Sequence, residues 1–337
     1  MKDFVTVALD AMGGDNAPFA TVKGGVDAVN ASSDVKVLMV GDEALIQAEL
    51  SKYTYDKERI EVIHTTEVID CNEPPVQAVR KKKDSSLVRC QRLVKNGEAD
   101  AVVSAGSTGA ILAGGQLIIG RIKGIHRPPL APLIPTAKGF AMLIDCGANV
   151  DARPNHLVQF AQIGSLYMKY YMNIENPRVA IVNIGVEEEK GNQLVKETYP
   201  LLKECPGINF VGSIEARDIP AGHADVIVCE AFVGNVILKL YEGVAMTLVH
   251  RLKSAMMQNL KSKIGGLLVK PAMKSVMKDF DATEYGGAPL LGLKGLVVNS
   301  HGSSDALEIQ NSILQCITFK KQNINVRIEE ALNQSNQ

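Results

Sequence analysis

Residues 5–42 read VTVALDAMGGDNAPFATVKGGVDAVNASSDVKVLMVGD, and the fold class follows from this stretch. Apolar strands are predicted at 5–9 and 36–40, with a helix at 20–30 between them. A strand, a helix and a second strand in this order predict a right-handed crossover between parallel strands. Both strands are apolar throughout instead of alternating, which is typical of a parallel sheet buried on both faces. The stretch therefore predicts an α/β protein.

The same succession recurs along the chain, because seven apolar runs end in a cluster of small or polar residues. The clusters are DAMGGDNAP (10–18), SAGSTGA (104–110), DCGAN (145–149), NIGVEEEKGN (183–192), CEAFVGN (229–235), YGGAPLLG (285–292) and NSHGSS (299–304). In an open α/β sheet, the loops at the carboxyl ends of strands face one crevice, where helix N-termini and free backbone N–H groups hold anions. The clusters therefore predict a binding cleft for a phosphate-like group.

Further strands and helices extend the alternation to the end of the chain. Strands are predicted at 60–64, 101–104, 141–144, 179–183, 210–211, 226–229 and 296–299, and helices at 76–96 and from the loop at 106–109 through 119. The span 101–120 carries no charge for 20 residues and equals a membrane helix in length. Its serines and glycines favour a buried strand, a loop and a core helix instead.

Composition favours an ordinary cytoplasmic enzyme. The net charge of the 337-residue chain is −1, which gives no indication of nucleic acid binding. Six cysteines are scattered without a CxxC pair and no apolar leader precedes the first strand, so we expect reduced thiols in the cytoplasm. The six histidines are isolated, so we expect no metal site. The chain is long enough for one large α/β unit or two lobes.

One segment differs from the rest in charge. Residues 243–278 contain seven cations and five methionines but no Asp or Glu. Leu248, Leu252, Met256 and Leu260 repeat every four residues and predict an apolar stripe on a helix. Gly265 and Gly266 are expected to break this helix, so the segment predicts a basic amphipathic hairpin over 245–281 with Leu267, Leu268 and Val269 at its tip. A dimer-contact or core helix with solvated lysines is the alternative.

The familiar nucleotide signatures are missing, since the chain has neither GxxxxGK[ST] nor GxGxxG after the first strand. SAGSTGA is the best candidate for the anion site. Ser107 and Thr108 can cap the following helix and donate hydroxyls, while Gly106 and Gly109 let the backbone approach a ligand. The glycines would equally allow a tight turn with no ligand. Cys146 has no base nearby in sequence, so a packed thiol is favoured over a nucleophile.

Taken in order, the motifs resemble the phosphate acyltransferase family of bacterial phospholipid synthesis. The resemblance is carried by VALDAMGGDNAP (7–18), SAGSTGA (104–110), LIDCGANVDARPNHLVQFA (143–161), VNIGVEEEKGN (182–192), ADVIVCEAFVGNVILKLYEG (224–243), YGGAPLLGLKG (285–295) and HGSSDA (301–306). These motifs span nearly the whole chain. Two positions depart from the family pattern, which usually has Asp-Gly at Glu230-Ala231 and Gly at Ala216.

The resemblance implies transfer of an acyl group from acyl carrier protein to inorganic phosphate, giving acyl-phosphate without a cofactor. It also implies a three-layer α/β/α fold similar to isocitrate and isopropylmalate dehydrogenases, a single unit over 1–337, a homodimer, and peripheral association with the cytoplasmic membrane. The hairpin would contact an anionic membrane, a membrane glycerol-phosphate acyltransferase or the acidic carrier protein, through Lys261, Lys263, Leu267, Leu268 and Val269. The apolar residues at its tip favour lipid.

Candidate site residues follow from the clusters and the expected chemistry, in which a phosphate oxygen attacks the thioester. Phosphate and substrate binding are predicted for Gly13, Gly14, Asp15, Gly106, Ser107, Thr108, Gly109, Asn149, Gly286, Gly287 and Ser303. Catalytic roles are predicted for Asn183 and Asn235, which with Asn149 would supply neutral donors, and for Lys190, Lys239 or His301, which would support negative charge or protonate the thiolate.

Two other classes of protein stay open at this point. A dehydrogenase of the related fold, using NAD and a divalent metal on a hydroxy acid, would need a group of acidic metal ligands and an arginine cluster. A non-catalytic membrane-associated regulator would use the basic hairpin but would not need seven polar loops.

Overall fold

A computed structural model describes residues 4–279 and 285–334, which form two mostly parallel sheets with helices around them. The first sheet has the strand order β10-β11-β4-β1-β2-β3 and is parallel except for β10. Its strands are β1 (Val5–Asp10), β2 (Val35–Gly41), β3 (Ile60–His64), β4 (Ala101–Ser104), β10 (Ala288–Leu290) and β11 (Leu296–Asn299).

The second sheet has the order β5-β6-β9-β7-β8 and is parallel except for β5. Its strands are β5 (Leu133–Thr136), β6 (Gly139–Ile144), β7 (Arg178–Asn183), β8 (Asn209–Glu215) and β9 (Val226–Val228). The helices are α1 (Phe19–Ala31), α2 (Glu43–Leu50), α3 (Pro75–Lys81), α4 (Ser86–Lys95), α5 (Thr108–Gly114), α6 (Pro154–Tyr170), α7 (Gln193–Lys203), α8 (Ala231–Met256), α9 (Leu260–Asp279), α10 (Ala306–Lys321) and α11 (Ile324–Gln334). A π-helical turn, Gly115–Ile119, extends α5.

All nine strands predicted from apolar runs are present, and the structure adds β5 and β10. The two additional strands are the antiparallel edge strands of their sheets, and each contains a proline. Proline cannot donate to a ladder, so a short run that contains one gives little strand signal in the sequence. The mostly parallel α/β prediction is confirmed.

The structure has two sheets where the sequence predicted one. The largest apolar cluster contains buried residues of both, such as Leu9 and Met39 of the first and Ile144 and Ile181 of the second. Between the sheets, the Gln315 amide of α10 donates to the buried Tyr167 hydroxyl of α6 over 2.9 Å. Apolar runs reveal strands but not their partners, because pairing is set by contacts far apart in sequence.

The helix predicted over 76–96 is divided into α3 and α4 at residues 82–85. Lys82 donates to the carbonyl oxygen of Val68, and the Asp84 carboxylate accepts both the N–H and the hydroxyl of Thr66. These contacts hold 82–85 out of helical geometry, so tertiary structure overrides the local helical pattern.

The predicted hairpin differs from the structure in the position of its break. Helix α9 starts after Asn259, whose side chain accepts the N–H of Ser262 over 2.9 Å, and Gly265 and Gly266 lie within α9. An Asn at an N-cap is a stronger boundary signal than glycine, which a helix tolerates at a cost of about 1 kcal/mol. Leu267, Leu268 and Val269 are therefore on the body of a helix and not at a tip. Residues 280–281 of the predicted hairpin lie outside the described residues.

Helices α8 and α9 expose most of their apolar side chains. On α8 only Ala231 and Gly234 are buried. Exposed apolar residues recur every four positions along this helix, at Phe232, Val236, Leu240, Val244, Leu248 and Leu252. By length and composition alone α8 could cross a membrane, with a mean hydropathy of 1.4 over an 18-residue window that is 6% buried. One such helix is weak evidence for a span.

Candidate active site

Three of the predicted clusters meet at the carboxyl ends of β1, β4 and β11, which are neighbours in the first sheet. The N–H of Ser300 donates to the carbonyl of Ser104 over 2.9 Å, and the N–H of Asp15 donates to the carbonyl of Gly302 over 2.7 Å. Asn16 also donates its side-chain amide to the carbonyl of Ser303. The loops after these three strands are therefore joined to one another, so three of the seven predicted clusters lie together.

Gly13 and Gly14 make this close contact possible. A Cβ at Gly13 would lie 2.6 Å from Asp10 Oδ2 and 2.9 Å from the backbone nitrogen of Gly106. Gly14 has a φ of +100°, and a Cβ there would lie 2.9 Å from the Cβ of Ala105. These glycines, with Asp15, pack against the neighbouring loops and are not among the residues that line the cavity described below.

Asp10 and Ser104 fix the SAGSTGA turn through hydrogen bonds. The Ser104 hydroxyl donates to Asp10 Oδ2 over 2.7 Å and accepts the N–H of Gly106 over 3.1 Å. Burial raises the pKa of Asp10, while hydrogen bonds from Ser86 and Ser104 act in the opposite direction. Because its N–H is already used, Gly106 supports the turn instead of offering a donor to a ligand.

Helix α5 begins at this turn and presents the remaining donors. Ser107 is its N-cap, and the Ser107 hydroxyl accepts the N–H of Ala110 at 3.4 Å. Within the described part of the chain, no acceptor contacts the N–H groups of Ser107, Thr108 and Gly109. Free N–H groups at a helix N-terminus, with the positive end of the helix dipole, suit a phosphate or a carbonyl that gains negative charge.

Thr108 faces a cavity of about 320 Å³ between the two sheets. On the first-sheet side the cavity is lined by Thr108, Gly286, Gly287, Ala288, Asn299, Ser300, His301, Gly302, Ser304, Glu308 and Ser312. On the second-sheet side it is lined by Leu130, Pro132, Leu133, Cys146, Asn235, Leu238, Lys239 and Glu242. Six predicted site residues thus share one cavity: Thr108, Asn235, Lys239, Gly286, Gly287 and His301.

His301 has a defined tautomer in this arrangement. Its Nδ1 lies 3.3 Å from the backbone nitrogen of Ser303 and 2.8 Å from the Ser303 hydroxyl oxygen. A backbone N–H can only donate, so Nδ1 is the acceptor and the proton of the neutral ring is on Nε2. Ser303, a predicted binding residue, therefore hydrogen-bonds to the ring of His301. The Nε2–H of His301 stays available to donate to a ligand.

Residues one helical turn apart on α8 line the opposite wall. Asn235, Lys239 and Glu242 follow the i, i+4, i+7 spacing of one helix face, and the Lys239 ammonium pairs with Glu242 Oε2 over 2.9 Å. Glu230 caps α8 by accepting the N–H groups of Phe232 and Val233. Glu230 therefore supplies a capping carboxylate at the position where the family usually has Asp, which explains how Glu can replace Asp there.

Asn149 lies behind the cavity wall and not on it. The Asn149 side-chain amide donates to Asp145 Oδ2 over 2.7 Å and to the carbonyl of Pro128 over 2.9 Å. Asp145 also accepts the N–H of Leu130 over 2.9 Å. Burial raises the pKa of Asp145 to about 6, against the effect of these hydrogen bonds. The predicted donor Asn149 is therefore occupied in fixing the DCGAN loop.

Asn183 and Lys190 contact each other but do not line the cavity. The Asn183 amide donates to the carbonyl of Lys190 and to the Ser213 hydroxyl, each over 3.1 Å. Lys190 forms an ion pair with Glu187 over 2.8 Å, and both side chains are about half exposed. These contacts hold the NIGVEEEKGN loop together, so the geometry disfavours the catalytic roles predicted for the two residues.

Two cavity residues that the sequence reasoning did not assign have unused hydrogen-bonding atoms. Asn299 donates its amide to the Thr108 hydroxyl oxygen over 3.2 Å, but Asn299 Oδ1 is buried with no partner among the described residues. The buried hydroxyl of Ser304 is likewise unpaired in that part of the chain. Both residues belong to the cluster NSHGSS (299–304), which the sequence analysis singled out without giving either residue a binding or catalytic role. Glu242 and Glu308 were also missed, and only the helical spacing from Lys239 could have indicated Glu242.

No group of three or more His, Cys, Asp or Glu residues suited to a metal ion occurs within 4–279 and 285–334. Among the described residues that line the cavity, Lys239 is the one Lys or Arg, so no arginine cluster is present there. The donor set is thus one of backbone N–H groups, hydroxyls and amides.

The fold is that of the phosphotransacetylases. The EutD phosphotransacetylase from Staphylococcus aureus superposes with a TM-score of 0.62, covering 95% of each chain at 19% sequence identity. The family model "Fatty acid synthesis protein" matches residues 5–327. The phosphate acyltransferase of Alkaliphilus oremlandii is 53% identical over 326 residues, covering 97% of each chain, and that of Clostridium novyi is 49% identical over 328 residues, covering 97% of this chain and 98% of its own.

The chain belongs to this family of fatty acid synthesis proteins. The resemblance inferred from the motifs is thereby confirmed, as is the prediction that the chain is an acyltransferase enzyme of lipid biosynthesis.

Proposed function

We propose that the cavity transfers a fatty acyl group from an acyl carrier protein thioester to inorganic phosphate, giving acyl-phosphate. The relatives named phosphate acyltransferase support phosphate as the acceptor. A cavity that combines free N–H groups with neutral amides supports an acyl transfer that generates negative charge on oxygen.

The observation that carries the mechanism is the state of Cys146, the one thiol among the cavity-lining residues. Burial raises the pKa of this thiol well above its usual range, and its sulfur lies 3.5 Å from the carbonyl oxygen of Leu143. A thiol kept protonated is a poor nucleophile. Cys146 is therefore not assigned as a nucleophile, and in the proposed mechanism the acyl group passes directly to phosphate.

In this mechanism, phosphate binds the N–H groups of Ser107, Thr108 and Gly109 at the start of α5. A phosphate oxygen forms a bond to the thioester carbon, and the carbon–sulfur bond breaks. Asn235 and the Nε2–H of His301 donate to the carbonyl oxygen as charge develops there. The departing thiolate takes a proton from the Lys239 ammonium, which is about half exposed and recovers a proton from solvent.

The test is phosphate-dependent release of free carrier thiol from an acyl carrier protein thioester, with a chelator present. Wild type and Cys146→Ala are compared at several phosphate concentrations. We expect both proteins to turn over at similar rates. An inactive wild type would contradict the proposed reaction, whereas an inactive but folded Cys146→Ala would contradict direct attack and indicate an acyl-enzyme.

We also propose that α9 contacts the membrane and that α8 contacts a second copy of the chain in a homodimer. The protein would then be a cytoplasmic enzyme that associates peripherally with the membrane. Leu260, Ile264, Leu267 and Leu268 give α9 an exposed apolar face at i, i+4, i+7, i+8, and Lys261 and Lys263 flank it. An amphipathic helix of this kind lies in the plane of an anionic membrane surface. The exposed stripe of α8 suits a second copy of the chain, since large exposed apolar patches mark interfaces.

Three further expectations stay proposals: a single unit over 1–337 with the α8–α9 excursion, a kinship with isocitrate and isopropylmalate dehydrogenases, and a membrane glycerol-phosphate acyltransferase as partner.

Vesicle sedimentation tests the membrane contact with Leu268→Glu and with Lys261→Glu combined with Lys263→Glu. Both variants should lose binding to anionic vesicles and keep activity in solution. Retained vesicle binding by both would exclude α9 as the lipid surface.

A further inference from the structure

A second basic surface lies on α3 and α4, and α3 packs against α5. Residues 80–95 contain seven cations and a single acid, Asp84. We call this surface the α3–α4 ridge. Its cations are Arg80, Lys81, Lys82, Lys83, Arg89, Arg92 and Lys95.

Most of these cations form no ion pair within the described part of the chain. Two are exceptions: Lys82 forms an ion pair of 2.5 Å with Glu73 Oε1, and the charge of Arg89 helps the hydrogen bonds from Thr66 to lower the pKa of Asp84. Arg80, Lys81, Lys83, Arg92 and Lys95 form no ion pair with any residue in the described ranges, and all but Arg92 are exposed. Elsewhere in the described part of the chain, lysines such as Lys36, Lys203 and Lys320 do form such pairs. Unpaired charge of one sign, clustered on one surface, creates a field that attracts an oppositely charged partner.

The ridge is joined directly to the phosphate-binding turn. Gly109 contacts the ring of Pro75, the first residue of α3, so closely that a Cβ on Gly109 would lie 2.6 Å from Pro75 Cγ. The preceding residue, Thr108, lines the cavity. With a rise of 1.5 Å per residue, Arg80, the first cation at the end of α3, lies about 7.5 Å along the helix from this contact. A protein bound to the ridge would therefore lie close to the turn that borders the cavity.

The side chains of the ridge suit a protein better than a lipid surface. Its one large exposed apolar residue on α3 is Val76, 47% exposed, and the described exposed apolar residues include none on α4. Helix α9 differs, because Leu267 and Leu268 are 69% and 78% exposed beside its lysines. Membrane association needs apolar side chains to insert, whereas docking of an acidic protein is achieved by charge.

We propose that the α3–α4 ridge is the docking surface for the acidic acyl carrier protein, leaving α9 for lipid. The proposal rests on the proposed function, since it assumes a carrier protein as the acyl donor. It divides the two basic surfaces of the chain between the two acidic partners.

The test combines Lys81→Glu with Lys83→Glu and compares two acyl donors, an acyl carrier protein thioester and the small S-acyl pantetheine. We expect KM for the carrier thioester to rise about 10-fold or more, because two attractive charges become repulsive. KM for S-acyl pantetheine and KM for phosphate should not change. Lys261→Glu with Lys263→Glu on α9 is the matched control, with the same charge change and an unchanged KM for the carrier thioester.

Direct binding of unacylated carrier protein, measured by fluorescence anisotropy, separates this proposal from the proposed reaction. Weaker binding to the ridge variant, with normal binding to the α9 variant, supports the ridge even if acyl transfer is not observed. Equal binding of carrier to wild type and ridge variant overturns it. A rise in KM for both donors would indicate a disturbed cavity, and loss of vesicle binding by the ridge variant alone would indicate a lipid surface; either result also overturns it.

Discussion

Thr108 offers the sharpest test of the proposed phosphate site. Its hydroxyl oxygen accepts a hydrogen bond from the side-chain amide of Asn299 over 3.2 Å. An amide N–H only donates, so the hydroxyl proton of Thr108 is free to point at a ligand in the cavity. Thr108→Val removes this donor while it keeps the branched shape, whereas Thr108→Ser keeps the donor.

The expected loss has two parts. A donor to the developing oxyanion or the phosphate is worth about 10²–10³ in turnover, and we expect this fall in kcat/KM for phosphate in Thr108→Val. The Asn299 side-chain amide also loses its hydrogen bond to the Thr108 hydroxyl, and Asn299 Oδ1 has no partner among the described residues, so stability should fall by about 1 kcal/mol. Thr108→Ser should stay within about tenfold of wild type, since the loss of a methyl group removes only packing.

The assay is carrier-thiol release at a series of phosphate concentrations, with urea unfolding of each variant as a check on stability. Loss confined to KM for phosphate would mean that the hydroxyl binds phosphate equally in the ground and transition states. A folded Thr108→Val with nearly wild-type kcat/KM would refute the assignment and leave the turn a purely structural feature.

Three other predictions follow from single contacts. Ser303→Ala removes the 2.8 Å hydroxyl contact to His301 Nδ1 and leaves the 3.3 Å backbone N–H contact alone to hold the ring, so turnover should fall about tenfold; unchanged turnover in the thiol assay would show that the Ser303 hydroxyl is not needed to orient His301. Gly234→Ala places a Cβ 1.9 Å from the carbonyl oxygen of Asp145, so we expect a loss of about 3 kcal/mol or more in urea unfolding, and a loss below 1 kcal/mol would contradict the close packing of α8 on β6. Asp145 has its folded-state pKa raised from 3.8 to about 6, so its contribution to stability is present at low pH and is lost as pH rises from about 4 to 6. The stability of wild type relative to Asp145→Asn should therefore fall by up to about 3 kcal/mol between pH 4 and pH 7, and a difference independent of pH would contradict the burial of this carboxyl.

The sequence by itself determined the strands, the class of sheet and the nature of the site. A continuous apolar run is a local property, and the clusters that follow the runs are local as well, so β1, β4 and β11 and their loops could be predicted without any contact. Thr108, Asn235, Gly286, Gly287 and His301 lie in these clusters, whereas Lys239 was assigned from the expected chemistry, and the structure brings all six to one cavity.

Only the tertiary structure decided which clusters meet. Strand order is fixed by pairing between distant segments, and it sets β11, β4 and β1 side by side while β7 lies between β9 and β8 in the other sheet. Asn183 is the last residue of β7 and does not line the cavity, although its cluster looks like the others in sequence. Long-range contacts also explain why the helix predicted over 76–96 is two helices. The contacts of Lys82 and Asp84 to the segment after β3 outweigh local helix propensity. Local patterns specify elements and chemistry, whereas long-range packing specifies which of them act together.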